Sequence, residues 1–115
     1  MRTVRLVPGA IADIRRILRH SRAEFGADAE ARYKALLERA LQDLGEDPRR
    51  AGSRPIPDVR PGYFAYHVKY SRQRVTGRTV TRPRHLIVFS VDPSEAVVVA
   101  AVVHEREMLE RHLDD

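Results

Sequence analysis

The chain has 115 residues, 43% of them hydrophobic, and a net charge of +5 from 21 Lys and Arg against 16 Asp and Glu. This length suits one domain, 1–115, with a single modest core, and the composition excludes the core-poor chain of a disordered protein. With no cysteine, disulfides, cysteine-ligated zinc and a thiol nucleophile are excluded. Neither a signal peptide's apolar run nor the roughly 18 apolar residues of a membrane span occurs, so a soluble cytoplasmic protein is expected.

Taken in order, Thr3 to Val7 reads as a first strand, ended by Pro8-Gly9. Ala10 to Glu24 reads as a helix. Ile11, Ile14, Leu18 and Phe25 form its apolar stripe, with Arg15, Arg16, Arg19 and Arg22 opposite. Gly26 stops that helix and Asp28 is placed to cap the next. The second helix, Ala29 to Leu44, turns Tyr33, Leu36, Leu37, Ala40, Leu41 and Leu44 inward and is closed by Gly45 and Pro48. Two helices joined this tightly form an antiparallel hairpin.

Asp47 to Gly62, rich in Pro, Gly and Arg, is expected to be an irregular connection. Tyr63 to Tyr70 alternates as a strand, with Phe64, Tyr66, Val68 and Tyr70 facing the core. Gln73 to Arg82 reads as an extended hairpin tip. His85 to Val91 and Ala96 to Val103 are strands, the latter nearly continuous in apolar residues and so the more buried. His104 to Leu113 closes the chain as a short helix. The order β-α-α-β-β-β-α predicts an α+β fold with the helical hairpin on one face of a small, mostly antiparallel sheet.

The charge is unevenly spread. From Arg49 to His85 there are ten Arg and Lys against Asp58 alone, a net +9 within a chain whose total is +5. Such asymmetry points to an acidic partner, whether a protein segment or nucleic acid.

Catalytic motifs are sparse. His104-Glu105-Arg106-Glu107-Met108 begins like a zinc-protease helix, but the second His of that motif is replaced by Met108, and His112 comes two turns on. No metal or other cofactor is expected. His67 and His85 flank the basic stretch and could exchange protons near neutral pH, although a strand histidine bonded to backbone is the plainer reading. No nucleophile elbow or phosphate-cradling glycine loop is present. Tyr63, Phe64, Tyr66 and Tyr70, interleaved with Arg60, Lys69 and Arg72, could stack on bases, but core packing accounts for most of these rings.

Several segments together resemble the RelE/ParE toxin superfamily, and its ParE branch most closely. Pro8, Ala10, Asp13, Ile14 and Ile17 are similar to the family's opening of the first helix. Phe25-Gly26 with Tyr33, Leu37, Ala40, Leu41, Leu44 and Pro48 is similar to its turn and second helix. Arg60-Pro61-Gly62, Arg84-His85-Leu86-Ile87-Val88-Phe89 and Val102-Val103-His104-Glu105-Arg106, followed by Met108 and His112-Leu113, complete the pattern. The family's Arg three residues before the final His is replaced by Ala101, no Tyr follows Tyr70, and Ser71 to Pro83 is longer and more basic than the usual hairpin turn.

The resemblance implies a RelE/ParE-like fold and a toxin of a type II toxin–antitoxin system. It implies a non-enzymatic inhibitor of DNA gyrase, neutralised by a cognate, ParD-like antitoxin with an acidic or amphipathic C-terminal segment. Expected antitoxin contacts are Leu18, Arg22, Tyr33, Leu37, Arg60, Tyr63 and Arg84. Expected gyrase contacts are His104, Arg106, Arg111 and His112. The alternative is a RelE-like ribosome-dependent mRNA endoribonuclease, for which Arg60, Lys69, Arg84 and His85 would act on the scissile phosphate. Ala101 weighs against that alternative, and direct nucleic-acid binding is the weaker expectation for the basic stretch.

Overall fold

A computed structural model describes residues 1–108 of the chain. Strand β1 (Val4–Leu6) leads directly into helix α1 (Pro8–Phe25). Val7 stays extended ahead of Pro8, as a residue before proline must, and the fixed φ of Pro8 then opens the helix. A single residue, Gly26, joins α1 to helix α2 (Ala27–Glu46). Its φ of +94° reverses the chain at a value that side-chain-bearing residues rarely adopt.

Three expectations for this hairpin change. α2 starts earlier than expected, Gly26 occupies the N-cap, and Asp28 lies in the first turn without a side-chain capping bond. Gly45 does not end α2. It is buried inside the helix, where a Cβ would lie 3.0 Å from Val4 Cγ2, so the glycine lets β1 pass close by. The inward face of α1 is also displaced. Ala10, Ile17 and Ser21 are its buried residues, Ile14 and Leu18 pack beside them, and Ile11 and Phe25 are exposed. Positions 10, 14, 17 and 21 recur at helical spacing just as the expected stripe does, and small side chains admit close helix packing.

The chain then runs through β2 (Ser53–Pro55), β3 (Phe64–His67), a 3-10 helix (Val68–Arg74), β4 (His85–Val91) and β5 (Val97–His104). The five strands form one sheet in the order β1-β5-β4-β3-β2. Only β1 and β5 pair in parallel, with Val4 beside Val97; the other pairs are antiparallel. The fold is therefore α+β with a mostly antiparallel sheet. β2 was not expected: it lies within the supposedly irregular Asp47–Gly62, where Ser53 pairs with Tyr66 and Pro55 with Phe64. A proline at the sheet edge costs no ladder bond, which is why this segment can pair despite its composition.

β3 is also shorter than expected. The backbone N–H of Lys69 bonds to His67 Nδ1, capping the 3-10 helix and turning the chain out of the sheet. Tyr66 and Val68 are buried, Phe64 is partly so, and Tyr70 is 51% exposed beyond the strand.

The helices cover one sheet face. There Leu36, Leu37, Ala40 and Leu44 of α2 pack with Ile17, Tyr66, Ile87, Phe89, Val97, Val99 and Val102. The opposite face carries Ala65, Leu86, Val88 and Val103 under Ile56 and Met108. Both faces of β5 are therefore buried, which explains its continuous apolar sequence. Phe89 pairs with Val99 but Val88 with Ala101, so Ala100 is the extra residue of a bulge. The bulge changes parity: Val97, Val99 and then Val102 face the helices, while Ala101 and Val103 face away. Asp13 of α1 accepts the Val102 N–H at 3.0 Å beyond the bulge, and its other oxygen pairs with Arg16.

No helix among the described residues is long and apolar enough to cross a membrane. Residues 105–108 begin a helical turn after β5. The rest of the expected terminal helix, with Arg111 and His112, lies outside the described residues.

Candidate functional site: a basic groove between the hairpin and the sheet

The hairpin tip and the ends of β4 and β5 enclose an open groove of about 660 Å³. α1 contributes Arg16, Ile17, His20, Ser21 and Phe25, at three- and four-residue spacings that place them along one side of the helix. α2 contributes Ala29, Arg32 and Tyr33. The sheet end supplies His85, Val102 and His104, and the segment before β4 supplies Val80, Arg82 and Arg84.

Tyr33 organises the sheet end of the groove. Its hydroxyl accepts the Arg84 backbone N–H at 3.1 Å and also shares a hydrogen bond with His85 Nδ1. Burial pushes the pKa of His85 down to about 4, and the nearby His104, whose ring meets it edge-on at 5.3 Å, adds to that shift. At neutral pH His85 is uncharged with one nitrogen already engaged. Burial also raises the pKa of Tyr33, so its phenol keeps its proton.

Arg84 turns away from Tyr33 to Glu105, with a 2.8 Å bond to Oε1. His67 Nε2 holds the other oxygen at 3.1 Å. Since His67 Nδ1 accepts the Lys69 N–H, Nε2 is the donor. The Arg84 guanidinium first, and His67 second, hold the Glu105 carboxyl down to about 2, so it is ionised throughout the physiological range. Burial lowers the pKa of His67. Arg84 and His104 also border a second cavity of about 520 Å³, with Arg54, Leu86 and Arg106.

The groove is positive. Arg16 pairs with Asp13, and Arg84 with Glu105, but Arg32 and Arg82 have no ion-pair partner among the described residues. Among the described residues the acid in its lining is Glu107, which accepts the His104 N–H at 3.2 Å. Phe25 stands 73% exposed at the tip of the hairpin, beside Ile17, Ala29 and Val80. An apolar ring in water, in a groove whose Arg32 and Arg82 lack ion-pair partners among the described residues, is the composition of a recognition surface.

The expected site residues separate into groups. Tyr33 and Arg84 line the groove. Leu37 is 2% exposed and Leu18 packs on the same core, so Leu37 cannot meet a partner while the core stays closed. Arg22 is exposed and bonds Glu30 at 3.1 Å, bracing the hairpin. Arg60 lies over the Tyr63 ring at 4.3 Å, and Tyr63 packs on the opposite sheet face. His104 borders both cavities and Arg106 the second. Of the four residues named for RNA cleavage, Arg84 and His85 meet at the groove. Lys69 lies against the exposed Tyr70 ring, and neither it nor Arg60 lines either cavity.

Sequence reasoning missed Arg16, His20, Phe25 and Arg32 as groove residues and left Arg82 without a role. Their helical spacing, 16-20 and 25-29-32, was the available signal. Among the described residues no three His, Asp or Glu side chains are grouped to hold a metal ion.

Residues 4–109 match the profile of the family described as the ParE toxin of type II toxin-antitoxin system, parDE. The chain is 30% identical over 112 residues to Toxin ParE of Escherichia coli, spanning 96% of this chain and 91% of that protein. Its fold is similar to a solved structure titled as the chromosomal ParDE TA system from P. aeruginosa. The TM-score there is 0.69 at 14% identity, covering 90% of this chain and 96% of that one.

Proposed function

The chain belongs to the ParE toxin family of type II toxin–antitoxin systems, and from that membership we propose that it arrests growth by inhibiting DNA gyrase in the cytoplasm, without cleaving RNA, and is neutralised by a cognate antitoxin. The observation that carries the antitoxin part is the groove: apolar walls, an exposed Phe25, and Arg32 and Arg82, which have no ion-pair partner among the described residues. An amphipathic segment with acidic residues would lay its apolar side on such walls and place carboxylates against the arginines. The gyrase contacts of this reading are His104 at the end of β5 and Arg106 in the turn after it, together with Arg111 and His112.

The non-catalytic part is supported by what the polar groups already do. In-line RNA cleavage needs a base with a pKa near neutrality and cations free to stabilise the phosphorane. His85, with a pKa of about 4, is a weak base bonded to Tyr33, and Arg84 is tied to Glu105.

The test is gyrase supercoiling with purified chain, with and without antitoxin. Supercoiling is expected to fall and to be restored by antitoxin. Unchanged supercoiling and unchanged cleavage complexes would remove the gyrase assignment. Site-specific mRNA cleavage on purified ribosomes, abolished by Arg84→Ala and His85→Ala, would establish the endoribonuclease alternative instead.

A further inference from the structure

Residues 68–84 join two antiparallel strands that a two-residue turn could connect. The first part, Val68–Arg74, is the 3-10 helix, fixed to α2 through Ser71 and Arg74, which both bond Asp43. The second part, 75–84, has no ladder partner among the strands, yet it is pinned at two points. Val75 and Val80 both pack against the core. Between them Gly77, at a φ of +85°, turns the exposed tip that carries Arg78. At and beyond the second anchor, Val80 and Arg82 line the same groove as Phe25 and Arg32 of the hairpin.

We propose that segment 75–83 is a specificity wall, and that the groove it completes selects an acidic peptide segment presenting carboxylates to Arg82 and Arg32 and an apolar side chain to Phe25 and Val80. This rests on the reading that the groove receives the antitoxin. It adds which residues choose the partner and what chemistry they choose.

Three observations carry it. First, the anchors at Val75 and Val80 hold the backbone on the near side of Arg82 against the core before any partner arrives, so less backbone ordering is left to the moment of binding. Second, Arg82 and Arg32 are without ion-pair partners among the described residues, whereas Arg74, at the root of the same segment, is bonded to Asp43 and Glu46. Third, the charge is set among apolar side chains, which favours an amphipathic peptide over a phosphate backbone. A nucleic acid would need a continuous cationic track, and Ile17, Ala29, Val80 and Val102 interrupt it.

The experiment measures binding of the full chain to its cognate antitoxin by calorimetry at two salt concentrations. The variants are Arg82→Glu, Arg32→Glu and, as a control of equal charge, Arg78→Glu at the tip. Circular dichroism melting confirms that each is folded. Arg82→Glu and Arg32→Glu are expected to weaken binding by roughly tenfold or more, and to reduce its salt dependence, with Arg78→Glu near wild type. An antitoxin carrying Lys at one acidic position is expected to recover binding to Arg82→Glu. Equal losses in all three variants would reduce the effect to net charge and overturn the wall. Wild-type affinity in Arg82→Glu and Arg32→Glu would overturn it while leaving the antitoxin reading intact. No binding by the wild-type chain would overturn both. Displacement of the antitoxin by a single-stranded oligonucleotide, lost in Arg82→Glu, would replace the peptide with nucleic acid.

Discussion

Two groups of arginine lie toward opposite ends of α2, and their surroundings give them opposite uses. In one, Asp43 is fully buried on the inner face of α2. Arg39 approaches it at 2.8 Å, Arg74 at 2.9 Å and Arg50 at 3.6 Å. Ser71 donates to its second oxygen at 2.6 Å and also meets the Tyr66 hydroxyl at 2.8 Å. In the other cluster, Arg32 and Arg82 border a groove with no carboxylate paired to either among the described residues. One carboxylate marks the difference. Arginines gathered on a buried acid are part of the fold, and arginines left without one are available to a partner.

The largest effect is therefore expected from Asp43→Ala. It strands several guanidiniums and removes the acceptor of Ser71, and the cost expected for breaking a buried ion pair is about 3–5 kcal/mol. Urea denaturation followed by circular dichroism measures it. Asp43→Asn, which keeps an acceptor oxygen, is expected to lose less. A loss below about 1 kcal/mol for Asp43→Ala would mean that the arginines find water instead, and that the cluster does not hold the 3-10 helix to α2.

Both clusters drew on sequence signals of different quality. The order of elements was legible because long periodic helices and β-branched runs are strong signals. β2 was not, since three residues carrying Ser, Arg and Pro acquire strand geometry only by pairing with β3. The parity change at Ala100 was equally hidden: an all-apolar strand reads the same with or without a bulge. Asp43 offered a usable sign, a lone acid between Ala40 and Leu44 on the apolar face of α2. The groove was only half legible. Tyr33 and Arg84 were found through family resemblance, but Arg32 and Arg82 belong to elements far apart in sequence. The basic stretch from Arg49 to His85 proved to be a mixture. Arg50 and Arg74 approach Asp43, and Arg84 is bonded to Glu105, which leaves a smaller share of its charge for recognition.

An intermediate effect separates the groove from the cluster by pH. His85 has a folded pKa of about 4, below the ordinary histidine value near 6.5. Between those values the unfolded chain binds the proton and the folded chain does not. Stability is then full above pH 6.5 and declines as pH falls toward 4, and the lowered pKa of His67 acts in the same direction. Glu105, held down to about 2, adds a further loss only below about pH 4.5, where the unfolded carboxyl begins to protonate. Denaturation midpoints are expected to hold level from pH 7.5 to about 6.5 and to fall from there to 4.5, and His85→Gln is expected to flatten that fall. An unchanged slope in His85→Gln would assign the acid sensitivity to other groups.

The smallest effect is the sharpest comparison, because it sets two arginines of one segment against each other. Arg74 is half-exposed, yet it bonds Asp43 at 2.9 Å and Glu46 at 3.4 Å. Arg74→Ala removes one donor from a buried carboxylate that keeps Arg39 and Ser71, and is expected to cost about 1–2 kcal/mol. Arg82 is exposed and without an ion-pair partner among the described residues, so Arg82→Ala is expected to change stability by no more than about 0.5 kcal/mol. The two variants lose the same charge from the same segment, so net charge and loop entropy nearly cancel between them. What remains is the carboxylate each does or does not meet. A loss for Arg82→Ala equal to that for Arg74→Ala would place Arg82 in the fold and leave Arg32 alone to attract an acidic partner. A negligible loss for both would instead mean that Arg39 and Ser71 suffice for Asp43, and that Val75 and Val80 hold the segment by apolar packing alone.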